Sequence, residues 1–521
     1  MASTVEDITA AINASIEGGF RGQLLAQGQA RAMIWRDGLL SDDAPDFSSL
    51  LTYNLESYGY SLLNLSIRLL QRGGDGAVAR AGFENAASAI ESAVAKGDNT
   101  DSSRSFHLLM AASAYHLGRF SARAYSLIAP NLEAANINSV ERCLSLLMIR
   151  NLDQLEVVIH QWRESDAGSD ETILKTLEGL DATPEAEEPL NDDGTPLLFD
   201  TLQVAITDNY MGAIATFLLA LDRGDNKLVD EAISLLNHGL EAAAEFNFIP
   251  LWWSHRITIF LIGDLWQASF YVNLPFAPPG QAGIVEWQGL RRLFIALLYK
   301  RNKSEIELWP SQLSAASRVV NLDDDLVVSL PTSAGKTRIA ELAILRCLSS
   351  GLRVVFVTPL RALSAQTEVT LQRTFHPLGK SISSLYGSIG TNNFEEDSLR
   401  EKDIVVSTPE KLDFALRNDP SLLDDVGLIV LDEGHMIGEG EREVRYEAQI
   451  QRLLRRPDAA KRRIVCLSAI LPEGDELDDF VNWLTKDKPD GAVKSDWRPT
   501  RLRFGEIVRN GDNWRLNLQV G

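Results

Sequence analysis

"DLVVSLPTSAGKT", residues 325–337, is an apolar run that breaks at a proline into a loop of small residues ending in Lys-Thr. The run, rich in Val and Leu, reads as a buried strand, and "TRIAELAILRCL" (337–348) reads as the helix that follows. A small-residue loop between strand and helix turns successive backbone N–H groups toward one point, beside the positive end of the helix dipole. That is a phosphate-holding geometry. Thr332, Ser333, Ala334 and Gly335 would supply the backbone, Lys336 a point charge for β- and γ-phosphates, and the Thr337 hydroxyl a ligand in a Mg²⁺ shell. Leu330 stands where the generic GxxxxGK[ST] pattern has its first glycine, so the match is partial.

Four further short runs rich in Val, Ile and Leu follow, at 353–357, 404–406, 428–431 and 464–467, with helical stretches between several of them. This alternation implies a parallel sheet with helices on both faces, and such sheets bind ligands at the carboxyl ends of their strands. The runs lead into "PTSAGKT", "TPLRALSAQ", "STPEKLD", "DEGH" and "LSAILPE", all expected along that one edge. "GLIVLDE" delivers two adjacent carboxylates: Asp432 to bind Mg²⁺, directly or through water, and Glu433 to polarise an attacking water. Acidic pairs at strand ends also serve as helix caps. The order, phosphate loop first and acidic strand about a hundred residues later, favours the catalytic reading.

In order and type these loops resemble motifs I, Ia, Ib, II and III of superfamily 2 DExH helicases, most closely the superkiller-like branch, over about residues 305–510. The resemblance implies the first of two RecA-like lobes, hydrolysis of ATP with Mg²⁺, and movement on single-stranded DNA or RNA. "LWPSQLSAA" (308–316) resembles the family's Q motif, which implies that Gln312 reads the adenine. By the same resemblance Arg361 and Thr408 would touch a nucleic-acid backbone; a surface arginine and a helix N-cap are the bland alternatives. "WRPTRLRFGE" (497–506) resembles the basic segment that leaves the first lobe. His435 completes DExH and, with Ser468, would couple the ATP site to the second lobe. The family's Ser-Ala-Thr is here Ser468-Ala469-Ile470, and isoleucine cannot make the threonine's hydrogen bond. No histidine falls in an HExxH or Cys/His metal-binding pattern.

Outward from this region the character changes. Residues 1–300 hold 20 basic and 38 acidic side chains, whereas residues 301–521 hold 30 and 34, so the charge that would repel nucleic acid is concentrated in the first part. That part reads as successive helices. Phe83, Ala87, Ile90 and Val94 recur at helical spacing, as do Val229, Ile233, Leu236 and Leu240. No fixed repeat period is found. Residues 181–196 carry six acids and three prolines and read as a linker; "NLPFAPPGQAG" (273–283) marks a second break. The expected class is therefore α followed by α/β: a helical domain over 1–180 and 197–300, a RecA-like lobe over 301–510, and the start of a second lobe or a tail over 511–521. The longest apolar stretches are short and carry charge, so no membrane span is expected. The N-terminus lacks a signal-peptide pattern, and Cys143, Cys347 and Cys466 stand far apart in apolar surroundings, as reduced buried thiols of a cytoplasmic protein would. No Q-x-x-R-x-G-R-like segment follows "LSAILPE", so the second lobe is expected from further chain or another polypeptide. A reading from a different class makes the acidic helical part a protein-binding adaptor and the ATP site a switch.

Overall fold

The computed structural model describes all residues except 1–3, 18, 37–46, 95–102, 133–136, 166–196, 278–283, 321–324, 385–400, 435–439, 470–474, 500–503, 511–512 and 520–521. The expected acidic linker, His435 and Ile470 therefore lie outside the described residues. The chain divides into two compact units, Met1–Gly263 with Pro499–Gly521, and Asp264–Arg498.

The first unit is helical, apart from an antiparallel hairpin of Phe504–Asn510 and Asn513–Gln519. Its helix ends are closed by side chains: Thr4 and Asp7 form a capping box on helix Val5–Ile16, and Asn138, Asn151 and Asp225 accept from the first-turn amides of their helices. Phe83, Ala87, Ile90 and Val94 are all buried on helix Gly76–Val94. Small residues set how closely that helix meets Leu51–Gln71: a β-carbon on Gly59 would lie 2.5 Å from Ile90 Cγ1. On helix Asn226–Glu245 the buried stripe is Val229, Ala232, Leu236, Gly239 and Ala243, while Ile233 and Leu240 are half-buried. The stripe is displaced toward the small residues because Gly239 admits the His255 ring and Asn209.

One expectation is corrected here. Helix residues Phe199–Arg223 are long and apolar enough, by length and composition, to cross a membrane, and 56% of the most apolar window is buried inside the unit. Continuous apolar runs were the wrong criterion for this helix. Polar residues such as Thr207, Asn209 and Tyr210 interrupt it, and Tyr210 Oη is satisfied by Thr258 Oγ1 at 2.8 Å.

The second unit is built on a seven-stranded, wholly parallel sheet: β1 Leu326–Ser329, β2 Arg353–Val357, β3 Ile382–Ser384, β4 Ile404–Ser407, β5 Val426–Leu431, β6 Arg463–Ser468 and β7 Ala492–Lys494, in the order β3-β4-β2-β5-β6-β1-β7. Both faces are covered. Leu326, Val328, Val354, Phe356, Val430 and Val465 pack on one side, and Val327, Val355, Ile429, Leu431 and Cys466 on the other. Such two-sided burial is why the strands read as continuous apolar runs. This is the expected RecA-like lobe, in a chain that also carries a helical region.

The compact unit begins at Asp264, upstream of the expected 301. Trp287, Phe294, Ile295 and Leu298 of helix Ile284–Tyr299 join Phe270 and Leu274 in the core that also holds Ile339, Ala343 and Val328. Helical periodicity alone assigned this helix to the wrong unit. All three cysteines are free and buried.

Candidate nucleotide site

In a parallel sheet every strand presents its carboxyl end to the same edge, so the loops after β1 and β5 share that edge with only β6 between them. The end of β6 ties both. Leu330 N donates to Ser468 O at 3.0 Å, and Gly434 N donates to Leu467 O at 3.0 Å. Asp432 N is fixed from the other side by Val357 O at 2.9 Å. Gly434 has to be glycine here, because a β-carbon would come within 2.1 Å of Cys466 Sγ.

The phosphate loop is sharply bent. Ser333 has φ +69° and Gly335 φ +86°, which caps the N-terminus of helix Lys336–Leu348. Two side chains of helix Pro310–Val319 brace it: Ser311 Oγ donates to Ala334 O at 2.9 Å, and Gln312 Nε2 donates to Gly335 O at 3.1 Å. Thr332, Ser333 and Thr337 are exposed, while Ala334 is buried. Lys336 reaches across β6, and its Nζ lies 3.0 Å from Glu433 Oε1. Glu433 takes φ +50°, a rare conformation for a non-glycine residue, of the kind often found at functional sites. Beside that pair, Asp432 Oδ1 accepts from Glu433 N at 3.1 Å. Burial, and secondarily the neighbouring Glu433, pushes the Asp432 carboxyl up to about 6 against the pull of Lys336.

These groups suit a magnesium polyphosphate. The loop offers backbone donors and one ammonium in a cradle that a β-carbon on Gly335 would fill, 2.0 Å from Gln312 Nε2. The acidic loop offers hard carboxylate oxygen, and a cation of this kind is ordinarily held by one or two carboxylates together with substrate phosphates.

At the far side of the edge, Thr358 N donates to Ser407 O at 2.9 Å, which brings the loops bearing Arg361 and Thr408 together. Arg361 is exposed at the start of helix Arg361–Phe375. Thr408 is buried, and its hydroxyl is hydrogen-bonded to Glu410, which pairs with Arg442 at 2.7 Å. It stands at an N-cap position without making the capping bond. Ser468 is fully buried and serves the site through its backbone.

Sequence reading missed Ser311, Gly434 and Arg338. Arg338, in the first turn of the phosphate helix, pairs with Glu305 and with buried Glu341. Arg301 Nη1 bonds Glu305 at 2.6 Å and its Nη2 bonds Thr374 Oγ1 at 3.0 Å; Thr374 in turn donates to Glu341 at 2.6 Å. Two cations and two carboxylates thus balance beneath the loop. The nearest signal in the sequence was a charged residue in an otherwise apolar helix face.

Residues 309–480 match the family model of the DEAD/DEAH box helicase. The Hachiman protein HamB of Bacillus cereus is 30% identical over 281 residues, covering 53% of this chain and 24% of that protein. The ATP-dependent DNA helicases Hel308 of Pyrococcus abyssi and Thermoplasma acidophilum are 33% and 35% identical, over 41% and 43% of this chain and 28% and 30% of theirs. The matched part thus spans less than a third of each of these relatives. Residues 309–480 are thus similar to the DEAD/DEAH box helicase family and lie on the RecA-like sheet.

Proposed function

We propose that the chain carries the first motor lobe of an ATP-dependent nucleic-acid helicase of the superkiller-like branch. The observation that carries this is the meeting of Lys336 and Glu433 at 3.0 Å across the end of β6, at a glycine-bent helix N-terminus. The backbone of residues 332–336 would take phosphate oxygens. Lys336 would exchange Glu433 for the β- and γ-phosphates, and this frees the Glu433 carboxylate to orient a water and receive its proton. Asp432 and Thr337 would hold Mg²⁺, which when bound neutralises charge on the phosphates. Arg361, exposed at its helix start, would meet the strand's phosphates, with His435 and Ser468 passing the change onward. The Hel308 relatives are DNA helicases by name, which favours DNA as the strand. Full turnover would require arginines from a second lobe, because such a group contributes about 10³–10⁵ in rate.

Titration of residues 1–521 with Mg-ATP tests this. Binding should be lost in Lys336→Ala and retained in Glu433→Gln, with turnover in the presence of single-stranded DNA lost in both. Binding that survives Lys336→Ala sinks the reading.

A further inference from the structure

β2 and β4 run side by side to the edge where Arg361 and Thr408 stand, and among the described residues their last backbone bond there is Thr358 N to Ser407 O. Both chains then turn at a proline, Pro359 and Pro409, which has no N–H to extend a ladder. The guanidinium of Arg442 takes over. Arg442, in the first turn of helix Glu441–Leu454, donates from Nη2 to Pro359 O and from Nε to Glu410 Oε1, the latter at 2.7 Å. Pro359 stands two residues before Arg361, and Glu410 two residues after Thr408, so one side chain joins the two loops expected to meet a nucleic-acid strand. The Glu410 carboxylate also accepts from the Thr408 hydroxyl and from its own backbone N–H. Arg442 is itself held in place by its helix. Tyr446, Ile450 and Leu453 share a core with Ile429 and Leu431 of β5, and Glu443 Oε2 accepts from Gly440 N at 3.0 Å to close the helix start. Further along, Arg452 Nη1 lies 2.9 Å from Asp413 Oδ1, which ties the same helix again to Pro409–Asn418.

The Arg442 and Glu410 side chains are 47% and 54% exposed, and an ion pair so exposed contributes little to stability. What it does supply is a fixed spacing between two loops that the sheet no longer joins. Resting on the nucleic-acid reading above, we propose that Arg442 and Glu410 form a clamp that sets this spacing. Arg442 is then a positioning residue for Arg361, and Glu410, although acidic, promotes the binding of a single strand. Electrostatics alone gives Glu410 the opposite sign, because a carboxylate beside a path of phosphates repels them. The clamp also requires arginine. A planar fork holds two acceptors at once in a set geometry, whereas a lysine offers one compact charge on a flexible stem.

The test is the Kd of residues 1–521 for a fluorescent single-stranded oligothymidylate, by anisotropy over a series of salt concentrations, with the Kd for Mg-ATP read alongside. Arg361→Ala removes a phosphate contact, so it should weaken DNA binding and make the slope of log Kd against log salt shallower by about 0.7. Glu410→Ala should weaken DNA binding by about five- to tenfold with the slope unchanged, although it removes a negative charge. Arg442→Lys keeps the charge and loses the fork, and should weaken binding by a similar factor. The double variant of Glu410 and Arg442 should be no weaker than either single one, because each breaks the same clamp. Both clamp variants should bind Mg-ATP as the wild type does, which shows that the lobe is folded. Tighter or unchanged DNA binding in Glu410→Ala would overturn the proposal. So would wild-type affinity in Arg442→Lys, or loss of Mg-ATP binding in either clamp variant. If Arg361→Ala acts as expected and the clamp variants do not, only the clamp falls. If the wild-type chain does not bind the oligonucleotide, or Arg361→Ala leaves binding intact, the nucleic-acid reading itself is refuted.

Discussion

Gly59 and Gly335 are both positions where a β-carbon would collide, and the contrast between them separates the two units. Gly59 lies inside helix Leu51–Gln71 and gives way to Ile90 of the neighbouring helix, so its lack of a side chain serves packing alone. Gly335 takes φ +86° and gives way to Gln312, so its lack of a side chain serves an open cradle of backbone donors. The helical unit spends its small residues on closeness between elements. The sheet unit spends them on a loop that would otherwise be sterically forbidden.

The largest effect that would sharpen this contrast is Gly335→Val. Left-handed backbone for a β-branched residue and the overlap with Gln312 should together destabilise the sheet unit by about 3–5 kcal/mol. Mg-ATP binding should vanish in calorimetry, while the thermal transition that Mg-ATP does not raise stays where it is. If both transitions fall together, the two compact units unfold as one.

Acid should act on the helical unit next. Burial lowers the His255 imidazole to about 4, opposed by its hydrogen bond to Leu251 O, and burial also lowers His116 well below its ordinary value. Each is bound as the neutral form, so the unfolded chain takes up protons first. Stability is full above about pH 6.5 and is lost as pH falls toward 4, on the order of 3 kcal/mol for His255. Melting curves between pH 7 and pH 4.5 should show the nucleotide-insensitive transition falling; an unchanged transition would show that the ring is not buried neutral.

Smaller again is Gly59→Ala, which should cost about 1–3 kcal/mol in the helical unit through overlap with Ile90, with Kd for Mg-ATP unaltered. Smallest is Arg445→Ala. Its pair with Glu441 is largely exposed on both sides, and the change should stay within about 0.5 kcal/mol in denaturant titration.

Most of the sheet was legible because its central strands are buried on both faces. The five apolar runs are β1, β2, β4, β5 and β6. The edge strands β3 and β7 were invisible: "ISS" and "AVK" are three residues long, half-buried or exposed, and carry no run to detect. The meeting of Lys336 with Glu433 was legible because strand order and parallel direction fix which loops share an edge. What escaped was everything that depends on side chains meeting from distant elements. Ser311 is an ordinary helix residue until it finds Ala334 O, and Gly434 is an ordinary glycine until Cys466 stands behind it. Gln312 could be placed near the nucleotide by its motif, but its internal hydrogen bonds could not be foreseen. In the helical unit, periodicity found the right faces and erred by one position where Ala232 and Gly239 rather than Ile233 and Leu240 line the seam.

The two β6 carbonyls that hold Leu330 and Gly434 belong to consecutive residues. Whatever tugs the last residues of that strand must therefore carry the lysine and the carboxylates together, like two wheels on one axle. Such gearing keeps the two loops in register with each other at the edge of the sheet.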